Sequence, residues 1–231
     1  MPSARASLTL LTGTGGNPNL KPITADNVDV SVAWYRGARA YVSAGVFAQD
    51  IKNYVKTGTA PVDLINIDTG QVATYTVTSR IGKSAKLKGF EVAAETPIGR
   101  GFGILANATF VDAEDEDGLP MLGASDWTYN LRGYYEDDRF SASLAWNYRS
   151  EYAYFFQGNG TNTPGNGARY FAGAGSLSAS IGYRITRDLS VHLDANNLLN
   201  EIRYTYHVNE QAPAAFYENG RQIFATLRWK F

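Results

Sequence analysis

Hydrophobic and polar residues alternate along most of this chain, and long stretches with a helical repeat are missing. Strict alternation indicates β-strands that present an apolar face to one side and a polar face to the other. The pattern predicts about nine strands, at residues 26–35, 39–55, 84–97, 102–112, 126–136, 139–149, 174–185, 188–197 and 220–231. The last strand has Ile223, Ala225, Leu227, Trp229 and Phe231 on its apolar face and ends the chain.

The connections between these strands alternate between short turns and long polar stretches. Short turns are predicted at 36–38, 98–101, 136–138 and 186–187, and long polar loops at 56–80, 113–125, 151–172 and 199–218. Strands joined in this way form an antiparallel up-and-down meander. Short turns at one end and long loops at the other are typical of outer-membrane β-barrels.

A soluble β-sandwich would also show alternating strands, but two features favour the barrel. The polar faces are rich in Ser, Asn, Asp, Arg and His, which suits a wet lumen. With the last strand running toward the short-turn end, Trp34 and Trp229 fall at that end of their strands and Trp127 and Trp146 at the other. Two aromatic belts on the apolar face are expected of a transmembrane barrel and are not required of a soluble fold.

Composition limits the other possibilities. The 231 residues include 21 basic and 22 acidic side chains, so no basic excess points to a nucleic-acid partner. The chain has no cysteine, which rules out disulfides and thiolate metal sites. No stretch reaches the roughly 18 apolar residues of a membrane helix, so hydropathy alone would indicate a soluble protein. The strand pattern argues against that interpretation.

Five segments, in order along the chain, resemble those of TonB-dependent outer-membrane receptors. They are Asn17-Pro18-x-Leu20-Lys21-Pro22, with Ile23 where the family usually has Glu; Lys88-Gly89-x-Glu91; residues 106–114 (ANATFVDAE); Asn197-Leu198-x-Asn200 with Tyr204; and the closing 219–231 (NGRQIFATLRWKF). The spacing and residues 129–152 are most similar to a proteobacterial subgroup that is associated with complex carbohydrates.

The resemblance implies an all-β, antiparallel transmembrane barrel of which this chain supplies the C-terminal nine or so of 22 strands. Residues 1–231 are then one C-terminal barrel portion without the plug domain, the TonB box or the first barrel strands, as a gene fragment, a misplaced start or a deliberate truncation. Phe231 is expected to be the signal read by the barrel-assembly machinery. The implied partners are outer-membrane lipid, a small nutrient ligand, and TonB only through the missing plug.

Several residues are candidates for ligand contact. The loop aromatics Tyr152, Tyr154, Phe155 and Phe156 precede a Gly/Asn-rich stretch, a combination that suits sugar rings and hydroxyls, although packing of a girdle that continues into the loop explains them as well. The residues expected to face the lumen are Arg132, Asn147, Arg149 and Asp194.

No metal, cofactor or catalytic set emerges from the sequence. The acidic run of Asp112 to Asp117 could be imagined as a calcium site, but its spacing does not fit an EF-hand and a solvated loop is favoured. His192, on a polar strand face, and His207, in a predicted loop, do not form a metal set. No Ser-His-Asp order or carboxylate pair indicates an enzyme.

The sequence therefore predicts part of an outer-membrane receptor that takes up a scarce nutrient, with an oligosaccharide, a siderophore, vitamin B12 and a metal chelate all open as substrates. The alternatives are a small free-standing porin or adhesin and, far behind, an outer-membrane hydrolase. An odd number of strands argues against a free-standing barrel, because bacterial single-chain barrels normally have an even number.

Overall fold

The computed structural model describes residues 11–37, 39–156, 168–207 and 209–231. Within these residues the chain forms fourteen strands, and no helix is long and apolar enough to cross a membrane. The strands are β1 (Thr12–Thr14), β2 (Thr24–Arg36), β3 (Ala40–Ile65), β4 (Val72–Gly99), β5 (Phe102–Asp115), β6 (Trp127–Glu136), β7 (Phe140–Arg149), β8 (Tyr152–Phe156), β9 (Ala168–Phe171), β10 (Ala174–Arg184), β11 (Leu189–Asn196), β12 (Ile202–His207), β13 (Pro213–Glu218) and β14 (Gln222–Trp229).

Nine strands form one antiparallel main sheet in the order β14-β11-β10-β7-β6-β5-β4-β3-β2. Neighbours in this sheet are also neighbours along the chain, apart from the excursions through β8–β9 and β12–β13. The short strand β1 adds in parallel to β4. The nine predicted strands and the all-β antiparallel class are confirmed. We call the edge that carries the short hairpin turns the turn end and the opposite edge the loop end.

The register joins the apolar faces of the separate strands into one surface. Val30, Val46, Phe90, Phe110 and Trp127 lie directly opposite one another on five successive strands. Because side chains alternate along a strand, one such row places every second residue of each strand on the same side. The main sheet thus has one apolar face and one polar face, as the alternation predicted.

The four tryptophans occupy the predicted ends of the apolar face. Trp34 lies two residues before the end of β2 at the turn end, and Trp229 is the last residue of β14 and pairs with Leu189 at the start of β11. Trp127 begins β6 at the loop end, and Trp146 lies three residues before β7 ends there. This arrangement of tryptophan in two bands is confirmed.

The short turns at the turn end are also confirmed. Gly37 and Gly101 adopt positive φ angles of 70° and 85° in the β2–β3 and β4–β5 turns. In the β6–β7 turn the carboxylate of Asp137 accepts hydrogen bonds from the amide groups of Arg139 and Phe140. These local interactions fix the hairpin connections, which in turn fix the strand register.

The predicted loop at 56–80 is wrong, because β3 continues to Ile65 and β4 begins at Val72. The two strands remain paired from Val55 and Gly82 out to Ile65 and Val72. The side chain of Asn66 closes the tip by accepting hydrogen bonds from the amides of Asp68 and Thr69. β3 extends 13 residues beyond its last pair with β2 (Thr24 with Lys52), enough to reach about 40 Å at roughly 3.3 Å per residue.

The polar loops predicted at 151–172 and 199–218 are also wrong in part, because they contain β8, β9, β12 and β13. These four strands form a second sheet, which we call the rim sheet, in the order β13-β12-β9-β8. That order matches the order β14-β11-β10-β7 of the main sheet, so each rim strand continues the strand below it past a bend. In the bend between β11 and β12, Asn197 and Asn200 adopt positive φ angles of 54°. The side-chain amide of Asn197 donates a hydrogen bond to the Gly220 carbonyl.

The main sheet is a single layer with little interior of its own. The buried apolar residues of the described chain lie toward the loop end, in β3, β4, β5, the segment after β5 and the rim sheet: Ile51, Ala85, Ala113, Leu119, Ala153 and Tyr206. The edge strands β2 and β14 each pair along one edge only within the described residues. β14 itself ends at Trp229 rather than at the predicted Phe231, although the amide of Lys230 still donates to the Asp188 carbonyl.

Candidate functional site

The polar face carries a row of amide and hydroxyl side chains across four strands. Asn107, Asn130, Asn147 and Ser176 are direct cross-strand neighbours on β5, β6, β7 and β10. The Asn130 amide donates to the Asn107 side-chain oxygen at 2.6 Å. Such side chains both donate and accept hydrogen bonds. The row can therefore form hydrogen bonds with the hydroxyl groups of a ligand without carrying a charge.

A mixed-charge cluster lies on the polar face nearer the turn end. The Tyr134 hydroxyl donates to the Glu95 carboxylate at 3.0 Å, and the Arg132 guanidinium lies 5.8 Å from the Tyr134 ring centre. These residues line a cavity of about 350 Å³ together with Arg39, Leu105 and Glu136. Asp194, two strands beyond β7, accepts a hydrogen bond of 2.7 Å from Ser180.

Arg149 joins the polar face to the loops. Its Nε donates to the Ser125 hydroxyl at 2.6 Å, and its guanidinium also donates to the Gly123 carbonyl. The same guanidinium lies 3.8 Å from the centre of the Tyr152 ring, a close cation–π contact. The predicted lumen residues Arg132, Asn147, Arg149 and Asp194 thus lie on the polar face, and their role toward a ligand stays a prediction.

The rim sheet is rich in aromatic side chains on both of its faces. On one face the Phe171 ring lies 5.3 Å from Tyr152, 4.7 Å from Tyr154 and 6.0 Å from Tyr217, measured between ring centres. On the other face Tyr206 is stacked on Tyr170 at 5.4 Å. Tyr204 lies 5.9 Å from Phe216 on that same face.

The four predicted loop aromatics therefore have different surroundings. Tyr152 and Tyr154 belong to the ring cluster around Phe171, whereas Phe155 is exposed and faces the Arg169 guanidinium at 5.5 Å from its ring centre. Phe156 is half-buried at the end of β8. The Gly/Asn-rich stretch of residues 157–167 that completed this predicted site lies outside the described residues.

Sequence reasoning missed the aromatics contributed by the other rim strands. The pattern predicts polar loops at the positions of Phe171, Tyr204, Tyr206 and Tyr217, although the alternation of Tyr204 and Tyr206 in "IRYTYH" is a signal that indicates β12. Tyr206 is nearly buried and donates to the Glu151 carboxylate. Burial, and then this hydrogen bond, raise the pKa of the Tyr206 hydroxyl, so it stays protonated as a donor.

The acidic run at 112–117 takes part in ion pairs with two lysines of the long hairpin. Asp115 is buried at the end of β5 and pairs with Lys56 of β3, which also contacts Asp117 at 2.8 Å. Lys83 of β4 contacts Glu116 at 2.7 Å. The solvated-loop prediction is wrong in part: β5 continues to Asp115, whose side chain is buried against Lys56 of the long hairpin, whereas Glu116 and Asp117 follow the strand and are exposed. Among the described residues, no group of three or more His, Cys, Asp or Glu is placed to hold a metal ion.

We call Lys56, Lys83, Asp115, Glu116 and Asp117 the ion-pair cluster. Hydrogen bonds from Lys83 and Lys56 lower the pKa values of Glu116 and Asp117, respectively. Burial alone would lower the pKa of Lys56, but its hydrogen bonds to Asp115 and Asp117 outweigh burial and raise it. The charged forms of four cluster members are therefore favoured by oppositely charged partners: Lys56, Lys83, Glu116 and Asp117.

An antiparallel sheet with one apolar and one polar face, short turns at one end and long hairpins at the other is typical of a transmembrane β-barrel wall. The chain belongs to the TonB-dependent receptor-like β-barrel family, whose sequence profile matches residues 1–198. No curated protein matches the sequence significantly.

Solved receptors share the fold at low sequence identity. The siderophore receptor PirA of Acinetobacter baumannii matches 94% of this chain with a TM-score of 0.69 and 19% identity. A mutant of the ferric enterobactin receptor PfeA of Pseudomonas aeruginosa, in complex with enterobactin, also matches 94%, with a TM-score of 0.73 and 17% identity. The copper transporter OprC matches the whole chain with a TM-score of 0.66 and 16% identity. The chain spans only about a third of each of these proteins, 33%, 33% and 35% of their lengths.

Proposed function

We propose that this chain forms the C-terminal barrel wall of an outer-membrane receptor that imports a small nutrient in a Gram-negative bacterium. Membership in the family supports the transport role, and energy would come from TonB through a plug domain supplied by the rest of the receptor. The polar face would line the lumen, and the rim sheet would meet the ligand outside. Nothing in this role requires catalysis.

We further propose that the ligand is polyhydroxylated, as an oligosaccharide is. The observation that carries this proposal is the continuity between the neutral polar row of Asn107, Asn130 and Asn147 and the aromatic face of the rim sheet, through Arg149 and Tyr152. Aromatic faces cover the apolar faces of sugar rings, while amides satisfy the hydroxyl groups at their edges. A ferric chelate, the ligand type of the siderophore receptors that share the fold, is the competing substrate.

The test is ligand binding by the complete receptor that contains this chain, measured by calorimetry with neutral oligosaccharides and, in parallel, with ferric catecholates. Replacement of Tyr152 by Ala removes a ring from the proposed ligand face. We expect Y152A to weaken oligosaccharide binding about tenfold, equivalent to about 1.4 kcal/mol.

Y204A is the matched control, because Tyr204 also packs against a phenylalanine ring but on the opposite face of the rim sheet. It should leave the affinity within a factor of two. Equal losses in Y152A and Y204A would mean that the rim sheet had been disrupted and would contradict the assignment of the ligand face. Binding of ferric catecholates alone would overturn the proposed ligand class and leave the transport role intact.

A further inference from the structure

Gly133 is an unexplained residue in the middle of a regular strand. It lies on the apolar face of β6, where its direct neighbours are Ile104 on β5 and Leu144 on β7. Its φ angle is not in the left-handed region, so its backbone does not require glycine. A glycine inside a strand weakens the strand and often marks a place where another molecule approaches closely.

Several other glycines inside the main-sheet strands have a steric reason to lack a side chain. A Cβ at Gly89 would lie 2.1 Å from the Phe110 carbonyl oxygen, one at Gly103 would lie 2.3 Å from the Tyr134 ring, and one at Gly175 would lie 2.1 Å from the Trp146 ring. A Cβ at Gly133 would meet nothing within 4 Å. Packing within the described chain therefore does not account for this glycine.

The missing side chain opens a groove of about 450 Å³ on the apolar face. Its floor is formed by Gly133, Ala142 and Ala179, which are small residues on three adjacent strands. Its walls are the larger apolar side chains of Ile98, Phe102, Ile104, Tyr135, Leu144 and Ile181. The groove is thus a cleft where small residues on three adjacent strands are surrounded by larger apolar side chains.

One end of the groove is polar. Phe102 and Tyr135 form its wall toward the turn end, with their ring centres 4.7 Å apart. The Tyr135 hydroxyl points to the Asp137 carboxylate in the β6–β7 turn and donates to it at 2.7 Å. A tyrosine in this orientation marks the boundary between a hydrocarbon layer and water.

We propose that the groove at Gly133 seats one acyl chain of a membrane phospholipid, with the headgroup at the level of Tyr135 and the turn end. The occupant is apolar because the walls and floor are apolar, and it comes from the membrane because the groove is continuous with the face that lies against lipid in a barrel wall. The inference rests on the proposed membrane location and is independent of the ligand's identity.

The experiment uses the complete receptor in bilayers that contain a phospholipid with a photoreactive diazirine in its acyl chain. After illumination, labelled residues are mapped by mass spectrometry. We expect labelling to concentrate on the groove residues of β5, β6 and β7 and to fall at least fivefold in Gly133→Leu, which fills the groove. Ala106→Leu places the same leucine side chain on the same face one row nearer the loop end and should change groove labelling less than twofold.

Heat-modifiable electrophoretic mobility checks that each variant is folded, and Ala142→Leu fills the groove from β7 if Gly133→Leu does not fold. Labelling spread evenly over the apolar face, or unchanged by the filling variants, would overturn the proposal while supporting the membrane location. Groove residues that cross-link to a protein chain instead would also overturn it. Absence of lipid labelling from the whole apolar face would contradict the membrane location itself.

Discussion

At the scale of single residues, the turn glycines show how the same backbone angle can carry different constraints. Gly37 and Gly101 both adopt a positive φ angle in a short turn. At Gly101 a Cβ would also lie 2.5 Å from the Glu136 carbonyl oxygen of the next hairpin, whereas at Gly37 it would meet nothing within 4 Å. Gly101 therefore combines a backbone requirement with a close approach between turns.

Replacement of Gly101 by Ala should lower the free energy of unfolding of the complete receptor more than replacement of Gly37 by Ala. Both variants incur the strain of a non-glycine residue at positive φ, about 1 kcal/mol or more. Only G101A must also displace the backbone of the adjacent turn. The shift of the guanidinium unfolding midpoint measures the difference, and a G37A shift as large as that of G101A would contradict the steric argument.

At the scale of elements, the ion-pair cluster holds the long β3–β4 hairpin to the end of β5. Lys56 and Asp115 are both buried, and Asp115 also accepts hydrogen bonds from the amides of Asp117 and Leu119. A buried charge without its partner is strongly destabilising, so the cluster depends on both signs of charge remaining ionised. Its stability is therefore coupled to pH.

The hairpin contact should be stable at neutral pH and loosen in acid. The pKa values of Glu116 and Asp117 are lowered in the folded protein, so their contribution is present above their ordinary values and is lost as the pH falls through the lowered ones, below about pH 4. The raised pKa values of Lys56 and Lys83 preserve their charges until the pH exceeds their ordinary value of 10.5.

Hydrogen exchange, corrected for the intrinsic effect of pH, measures this contact at the amides of Asp117 and Leu119. Protection should be constant from about pH 5 to 9 and fall below about pH 4. The amides of Asp68 and Thr69 are the internal control, because they donate to the Asn66 side chain, which does not titrate. Protection at 117 and 119 that persists at pH 3 would show that the ion pairs do not hold the contact.

The main sheet could be predicted from the sequence because one of its faces is apolar and the other is polar, which produces a strong period of two. The hairpin extension and the rim sheet lack this contrast. Residues 72–78 alternate Val, Ala, Thr and Tyr without a consistently polar side, and both faces of the rim sheet carry tyrosine. Strands that are solvated or aromatic on both faces give at most a short periodic signal, such as Tyr204 and Tyr206 in β12, so the pattern predicts loops there.

The candidate site was predictable only where it lies on the main sheet. Arg132, Asn147, Arg149 and Asp194 occur at alternating positions whose face the apolar residues define, so the sequence alone placed them on the polar face. The neighbours of Tyr152 were not predictable, because Phe171 and Tyr217 come from other rim strands and the register between those strands depends on tertiary pairing. The pairing of Lys56 with Asp115 was not predictable either, because the two residues are 59 positions apart and are brought together by tertiary pairing.

At the scale of the whole molecule, the main sheet is an open wall. β2 pairs only with β3 and β14 only with β11 among the described strands, so each leaves one row of backbone groups unpaired. In hydrocarbon, each backbone group without a hydrogen-bond partner costs several kcal/mol of free energy. The side chains of an open sheet cannot supply hydrogen bonds for a whole row of such groups. Further strands would remove both edges at once.

Residues 1–231 expressed alone should therefore neither close into a barrel nor conduct. After refolding into detergent micelles, the chain should migrate at the same position on gels with and without heating, whereas the complete receptor should migrate faster unheated. Planar bilayers with the chain alone should show no stable conductance. A heat-modifiable band or discrete conductance steps from this chain would show that its edges pair with each other.

The pairing of β9 with β12 links two connections that the chain makes separately. β8 and β9 lie between β7 and β10, and β12 and β13 lie between β11 and β14, yet the four strands share one ladder. A new ligand specificity that depends on the rim sheet has to be acquired in both segments together, since a change in one segment alters the strand pairing of the other. For engineering, the unit of exchange between related receptors is therefore residues 150–221 as a block, with β10 and β11 included, rather than a single loop.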